Sequence, residues 1–282
     1  MLTLASISED IDQLKPVADV AGKVMALLDD PDCGMSDLSE IIRHEPALTA
    51  NVLKLANSSY FGLPGKIEDA RQAIIYLGMA QVVDLVLLVT CSDSFAGAHE
   101  GYGLAHGELW KSAVSAAIIA SDLADVKGIE TSSRIFTGAL LRDIGKVVLN
   151  QYVHSALNQI MDRVKNQAVT FKEAELQVLG FDHTQIGAML AEKWHFPPVL
   201  QCIIRHCHAP LEAETCITEA SVVSLADAIC RKMEIGTGID DSTYQEDEQV
   251  VQTLDLHESE IEAVMVGFSG KMERVNALFN AA

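Results

Sequence analysis

Aromatic residues are scarce in this chain: Phe, Trp and Tyr make up 5% of 282 residues, although 49% are hydrophobic. Ala, Leu, Val and Ile carry the apolar load, which suits packed helices better than a β-sandwich. Basic residues are also few. With 20 Lys+Arg against 40 Asp+Glu the net charge is -20, so no basic surface is available to release counterions from a phosphate backbone or anionic lipid. The expectation is no nucleic-acid partner and no membrane. The longest apolar run, Val82 to Cys91, is interrupted by Asp84 and is too short to span a bilayer; it reads as a buried helix. Cys33, Cys91, Cys202, Cys207, Cys216 and Cys230 contain no CxxC pair, and the N-terminus lacks a basic, apolar and cleavable leader. Buried, reduced thiols in a cytoplasmic protein are therefore expected. There is no GxGxxG or Walker-type loop, no internal repeat and no low-complexity tract.

Strand-type alternation is nearly absent, whereas helix signals recur throughout. Ser36 to Glu40 reads as an N-cap and a short helix that stops near Glu45, because a residue before proline avoids the α region. Pro46 suits the first turn of the next helix, where Leu48, Val52, Leu55 and Ala56 share a face. Tyr60 to Gly65 is a turn-rich loop whose Tyr60, Phe61 and Leu63 either pack on the core or form a partner surface. Gly97, Gly101, Gly103 and Gly107 crowd the best linker candidate. Helices are then expected from about Ser132 to Leu149 and about Tyr152 to Asn166. Thr170 and Glu173 form a capping box, and Asp182 to Gln185 repeats the pattern. Ser242 to Glu248 reads as an exposed acidic loop. Ser259 to Phe279 reads as a final helix with Ile261, Val264, Met265 and Phe268 on one side. The fold class is all-α.

The chemistry-bearing block is Gly138 to Lys146, where an apolar helix delivers Arg142 and Asp143 and then a glycine. A carboxylate so close to Leu140 and Leu141 needs a partner. Downstream lie His183, His206, His208 and Asp227. A carboxylate and imidazoles from separate helices could converge on a divalent or ferrous ion, although each histidine alone reads more simply as a surface or hydrogen-bonded core residue. Cys207 stands beside two histidines, but adjacent residues on a helix point apart, and no third member of a nucleophilic triad is identifiable. Lys146, one turn after Asp143, reads as a phosphate contact or as an aspartate-paired lysine.

Several segments together resemble the HDOD family: Leu27 to Pro31, Ile41 to Thr49, Leu53 to Tyr60, Ala73 to Gly78, Gly138 to Lys146, Glu175 to Gly180 with Asp182-His183, and Trp194 to Pro197. The resemblance runs from about Leu14 to Pro210 in the right order. It implies a helical fold related to the HD and HD-GYP metal-dependent phosphohydrolases. Residues 1–97 would form an N-terminal helical subdomain, 98–235 an HD-like bundle, and 236–282 an acidic loop and C-terminal helix. Carried over residue by residue, the hydrolase ligands are damaged. Ser112 stands where relatives place a histidine after the Leu-Trp pair, Arg142-Asp143 replaces their His-Asp doublet, and His206-Cys207 replaces a His-His pair. His183 is kept, and Asp227 looks like the closing aspartate.

Arg142 has no lone pair to donate and stays protonated. It is expected to take the metal's place by holding a carboxylate through a charge-assisted hydrogen bond. The resemblance thus implies a bacterial signalling or regulatory protein that acts by protein or ligand binding. Its expected partners are signalling proteins and a small nucleotide, and no cofactor is expected. The alternative is a phosphohydrolase acting on a nucleotide or cyclic dinucleotide, with a divalent metal or iron on Asp143, His183, His206 and Asp227. A third reading is a purely structural polar network.

Overall fold

The computed structural model describes residues 15–29, 34–58, 60–63, 65–129, 132–244 and 248–279, together with Ile7. Among the described residues the chain is all-α; the nearest thing to a strand is an isolated bridge between His99 and Leu104. The N-terminal helices are α1 (Lys15–Asp29), α2 (Met35–His44), α3 (Pro46–Ala56), α4 (Ala70–Leu77) and α5 (Met79–Ala96). Glu45 takes an extended conformation that ends α2, and Pro46 opens α3 as expected. The start of α2 differs from the sequence reading. Gly34 precedes the first turn and its N–H donates to Asp37 Oδ2 at 2.8 Å, so Ser36 lies inside the helix. By length and composition α5 could cross a membrane, but Val82 to Leu88, Cys91 and Phe95 are buried in the protein.

The second bundle comprises α6 (Glu108–Lys127), α7 (Ser132–Leu141), α8 (Ile144–Gln167), α9 (Phe171–Leu179), α10 (His183–Lys193), α11 (Pro198–His206) and α12 (Ile217–Lys232). Ala113, Ala116, Ala117 and Ala120 of α6 are all buried and let α7 and α12 approach closely. The glycine-rich segment before α6 is packed. Gly101 N–H donates to Asn150 Oδ1 at 2.9 Å, and Tyr102 is fully buried. The single helix expected over 132–149 is instead two. The chain turns at Arg142 and Asp143, and α8 then runs unbroken through the interruption expected near residue 150. The turn is local: Lys146 N–H donates to Asp143 O at 2.9 Å. Asp143 thereby becomes a helix-leading residue facing the interior.

Two further helices, α13 (Glu248–Thr253) and α14 (Glu258–Phe279), complete the chain. Val264 and Phe268 of α14 are buried, and α14 packs on α6. The expected acidic loop is only partly exposed. Ser242 and Glu248 face solvent, Thr243 and Tyr244 are half-buried, and residues 245–247 lie outside the described residues. Tyr60, Phe61 and Leu63 pack half-buried against the core, with the Tyr60 and Phe61 rings edge-on at 4.9 Å.

The cysteine expectation needs correction. Cys202 on α11 and Cys216 just before α12 form a disulfide, their Cα atoms 6.2 Å apart. The short 207–215 segment returns the chain on itself and brings two distant-looking thiols within bonding reach. Cys91, Cys207 and Cys230 are free and buried. Cys33 lies outside the described residues.

Candidate functional site

Four segments meet at a buried polar centre: the α7–α8 turn, the start of α10, the turn after α11, and the middle of α12. Arg142 is fully buried, one of the largest such side chains in the protein. Its Nε donates to Asp227 Oδ1 at 2.9 Å, Nη1 to the Ala139 carbonyl at 3.0 Å, and Nη2 to Ser112 Oγ at 2.6 Å. Nη2 also lies 3.2 Å from Asp143 Oδ2 and 2.8 Å from Asp227 Oδ1. Every polar edge of the guanidinium is thus engaged, and the group draws together two carboxylates from different helices.

Lys146, one turn into α8, bridges Asp143 Oδ1 at 3.0 Å and Asp240 Oδ2 at 2.7 Å. Arg231, four residues after Asp227 on α12, pairs with Asp227 Oδ2. His183 leads α10, whose N-terminus is capped by Asp182 accepting from Gln185 N–H at 2.9 Å. Its Nδ1 lies 2.6 Å from Glu175 Oε2, and Tyr102 donates to the other Glu175 oxygen at 2.5 Å. Packing of α8 on α10 requires Gly145. A methyl group there would overlap the His183 carbonyl and stand 2.8 Å from Gly187 N.

Burial alone would raise the Asp143 carboxyl, but Lys146 and Arg142 hold it well below the usual carboxylate range. Asp227 behaves alike, burial opposed by Arg231 and Arg142. Burial disfavours the His183 imidazolium, yet the adjacent Glu175 carboxylate lifts its pKa above the ordinary histidine value. His208 is pushed well down, chiefly by burial. Asp241, buried beside Asp240, is pushed up to about 7. Asp143, Asp227, Asp240 and Glu175 face the permanent cations Arg142, Lys146 and Arg231; a protonated His183 evens that balance.

The signs give a pH prediction. Asp143 and Asp227 contribute stability present above the unfolded value of 3.8 and lost as pH falls below it. His183 contributes stability fully present below 6.5 and lost as pH rises through its elevated folded value. Asp241, with its raised value, also costs stability as pH rises from 3.8 to about 7. His208, pushed the opposite way, costs stability as pH falls through 6.5 and opposes His183 and Asp241 there. The sign is therefore set on the acid side: the urea midpoint is expected to be lower at about pH 2.5 than near about pH 5. A midpoint that does not fall between those two values would contradict ion-paired Asp143 and Asp227.

The sequence candidates are distributed unevenly. Ser112, Arg142, Asp143, Lys146, His183 and Asp227 converge. His206 does not: it is half-exposed at the end of α11, and its place is taken by His208. The His208 side chain is 4% exposed, its Nδ1 3.8 Å from Asp227 Oδ2. The helix ends at His206, and the next turn swings the second histidine inward. Cys207 is buried 3.3 Å from the Ile204 carbonyl, and burial pushes its thiol up to about 12, the opposite of a nucleophile's environment. Glu175, Tyr102, Asp240 and Tyr244 were not singled out by sequence. Arg231 was readable as the i,i+4 partner of Asp227.

Asp143, His183 and His208 form a set that could hold a metal ion, their donor atoms within 4.8 Å of one another. The imidazoles suit the task once His183 has given up a proton. Nε2 of both has no hydrogen-bond partner among the described residues, and Glu175 orients His183 as an outer carboxylate does for a metal-bound histidine. The carboxylate does not suit it, because both Asp143 oxygens already face permanent cations. Repulsion between a divalent ion and a guanidinium sharing one carboxylate is on the order of 5 kcal/mol. The residues therefore fit a metal only in part.

The family model of the HDOD domain matches residues 14–210. The chain belongs to the HDOD family. An uncharacterised protein of Treponema pallidum (strain Nichols) is 24% identical over 232 residues, 82% of this chain and 44% of that protein. The chain thus spans less than half the length of that curated relative. A solved Shewanella amazonensis SB2B structure, provisionally assigned as a phosphohydrolase, is 22% identical with a TM-score of 0.73, covering 98% of each chain. One from Marinobacter aquaeolei VT8, provisionally assigned to signal transduction, is 22% identical with a TM-score of 0.72, covering 95% of this chain and 59% of its own. These likenesses establish the fold. Asp227, Arg231, Asp240 and Tyr244 all lie beyond the HDOD match, so the polar centre ties the family domain to the C-terminal part of the chain.

Proposed function

We propose that this HDOD chain is a non-catalytic signal-transduction module that acts by binding another signalling protein or a small ligand. The observation that carries the reading is the buried Arg142 guanidinium, which holds Asp143 and Asp227 where a hydrolase relative would hold an ion. Arginine cannot polarise a phosphoryl oxygen as an ion does while it is committed to four partners, and it cannot generate a hydroxide nucleophile. The provisional signal-transduction assignment of the Marinobacter protein points the same way.

The second reading is a metal-dependent phosphohydrolase, favoured by the Asp143, His183 and His208 set and by the provisional phosphohydrolase assignment of the Shewanella protein. A divalent ion or iron on those three residues would supply Lewis acidity. Elemental analysis after incubation with Mn²⁺ or Fe²⁺, with bis-p-nitrophenyl phosphate as the assay substrate, separates the two. The expected result is sub-stoichiometric metal and no hydrolysis above buffer. Stoichiometric metal with hydrolysis, both lost in Asp143→Asn, would establish the phosphohydrolase instead.

A further inference from the structure

A cavity of about 700 Å³ lies between α12, the turn after α11 and the two C-terminal helices. Its volume falls in the range of small-molecule sites. Almost all of its lining is C-terminal to the HDOD match, so the family fold does not by itself supply it. Leu225 and Ile229 of α12 form one wall, and Val251, Ile261 and Met265 form the other.

Two further observations define the occupant. His208 and Tyr244 line the cavity, stacked with ring centroids 4.4 Å apart. The lining there is aromatic rather than hydrogen-bonding, since Nε2 of His208 and Oη of Tyr244 are closed off from the cavity. The lining also carries a one-sided charge. Glu212, Glu248, Glu258 and Glu262 are exposed lining residues, against the exposed Lys232. Arg231 adds no free charge, since it is committed to Asp227 and packs 5.5 Å over the Tyr244 ring.

We propose that this cavity binds an organic cation: a small molecule with an apolar body and an amine that the glutamates attract. The same field disfavours nucleotides and other phosphorylated anions in this cavity. The inference gives a ligand class to the binding-module reading, yet it would stand if the polar centre proved to hold a metal.

The test uses three fluorescent probes with one body and one linker: dansylcadaverine, its neutral N-acetyl derivative, and the anionic dansyl-6-aminohexanoate. Titration of the full chain without added metal is expected to show dansylcadaverine binding about tenfold more tightly than the neutral probe, a factor within reach of several exposed carboxylates together. The anion is expected to bind weakest. Ala228→Phe, which fills the cavity from α12, should remove binding of all three. Ala228→Leu should weaken it and serves if the phenylalanine variant fails to fold. Glu258→Gln with Glu262→Gln, both exposed, should reduce the preference for the cation, Glu212 and Glu248 remaining, while sparing binding of the neutral probe. No binding, equal affinity for all three probes, an anion preference, or binding indifferent to the folded Ala228 variant would each overturn the proposal. Metal content and hydrolysis are not read in this experiment, so its failure leaves the non-catalytic reading to its own test.

Discussion

Replacing Arg142 with methionine is expected to lower the unfolding free energy by about 3–5 kcal/mol. Methionine keeps much of the side chain's length, so the loss comes from charge and hydrogen bonding, with only a modest change in packing. Asp227 would lose its bond to Nε and keep Arg231, while Asp143 would keep Lys146. The Ala139 carbonyl and the Ser112 hydroxyl would lose their guanidinium donors in a buried site. Breaking one side of a buried ionic group costs more than removing both sides together. The double variant Arg142→Met with Asp227→Leu does not remove both sides, because Arg231 then loses its carboxylate, so no recovery is expected. Urea unfolding of wild type and both variants measures this. A single variant within about 1 kcal/mol of wild type, the scale of an exposed pair, would mean that the guanidinium lies outside the core.

Gly145→Ala is expected to cost at least about 3 kcal/mol, at the upper end for one added methyl group. Most overpacked side chains find relief by changing rotamer. Here the obstacle is backbone, the His183 carbonyl and the Gly187 nitrogen, so α8 and α10 must separate. That separation moves His183 at its first helical residue and loosens its 2.6 Å contact with Glu175. The histidine's NMR titration should accordingly shift toward lower pH than in wild type. A variant as stable as wild type, with an unmoved histidine titration, would show that the two helices are not in contact there.

Much of the fold was legible because its signals are local. The Glu45-Pro46 junction, the Thr170 capping box and the apolar face of the final helix depend on neighbours a few residues apart, and each appears where read. The pairing of Arg142 with carboxylates was legible for a different reason: a guanidinium has one chemistry wherever it is buried. The break at Arg142 and Asp143 was misplaced, since Gly145 favours close helix contact there, a tertiary fact without a local mark. Choosing His206 over His208 failed on two residues of chain, because the direction of a side chain just past a helix end depends on the turn beyond it. Glu175, Tyr102 and Asp240 reach the centre from 8 residues, 73 residues and nearly a hundred residues of separation, distances over which sequence pattern carries no register. The Cys202–Cys216 bond was missed for the same reason, its partners 14 positions apart.

The pairing of Lys146 with Asp240 bears on the order in which the chain can fold as it is made. The ammonium is set on α8, but its second counter-charge is synthesised after all seven helices of the bundle have been completed. Until Asp240 emerges, a nascent bundle must either leave Lys146 wet or bury it on Asp143 alone. Closure of the interior is thereby deferred to a late step, and a nascent chain halted at Ile235 should exchange its α8 amide protons faster than the finished protein.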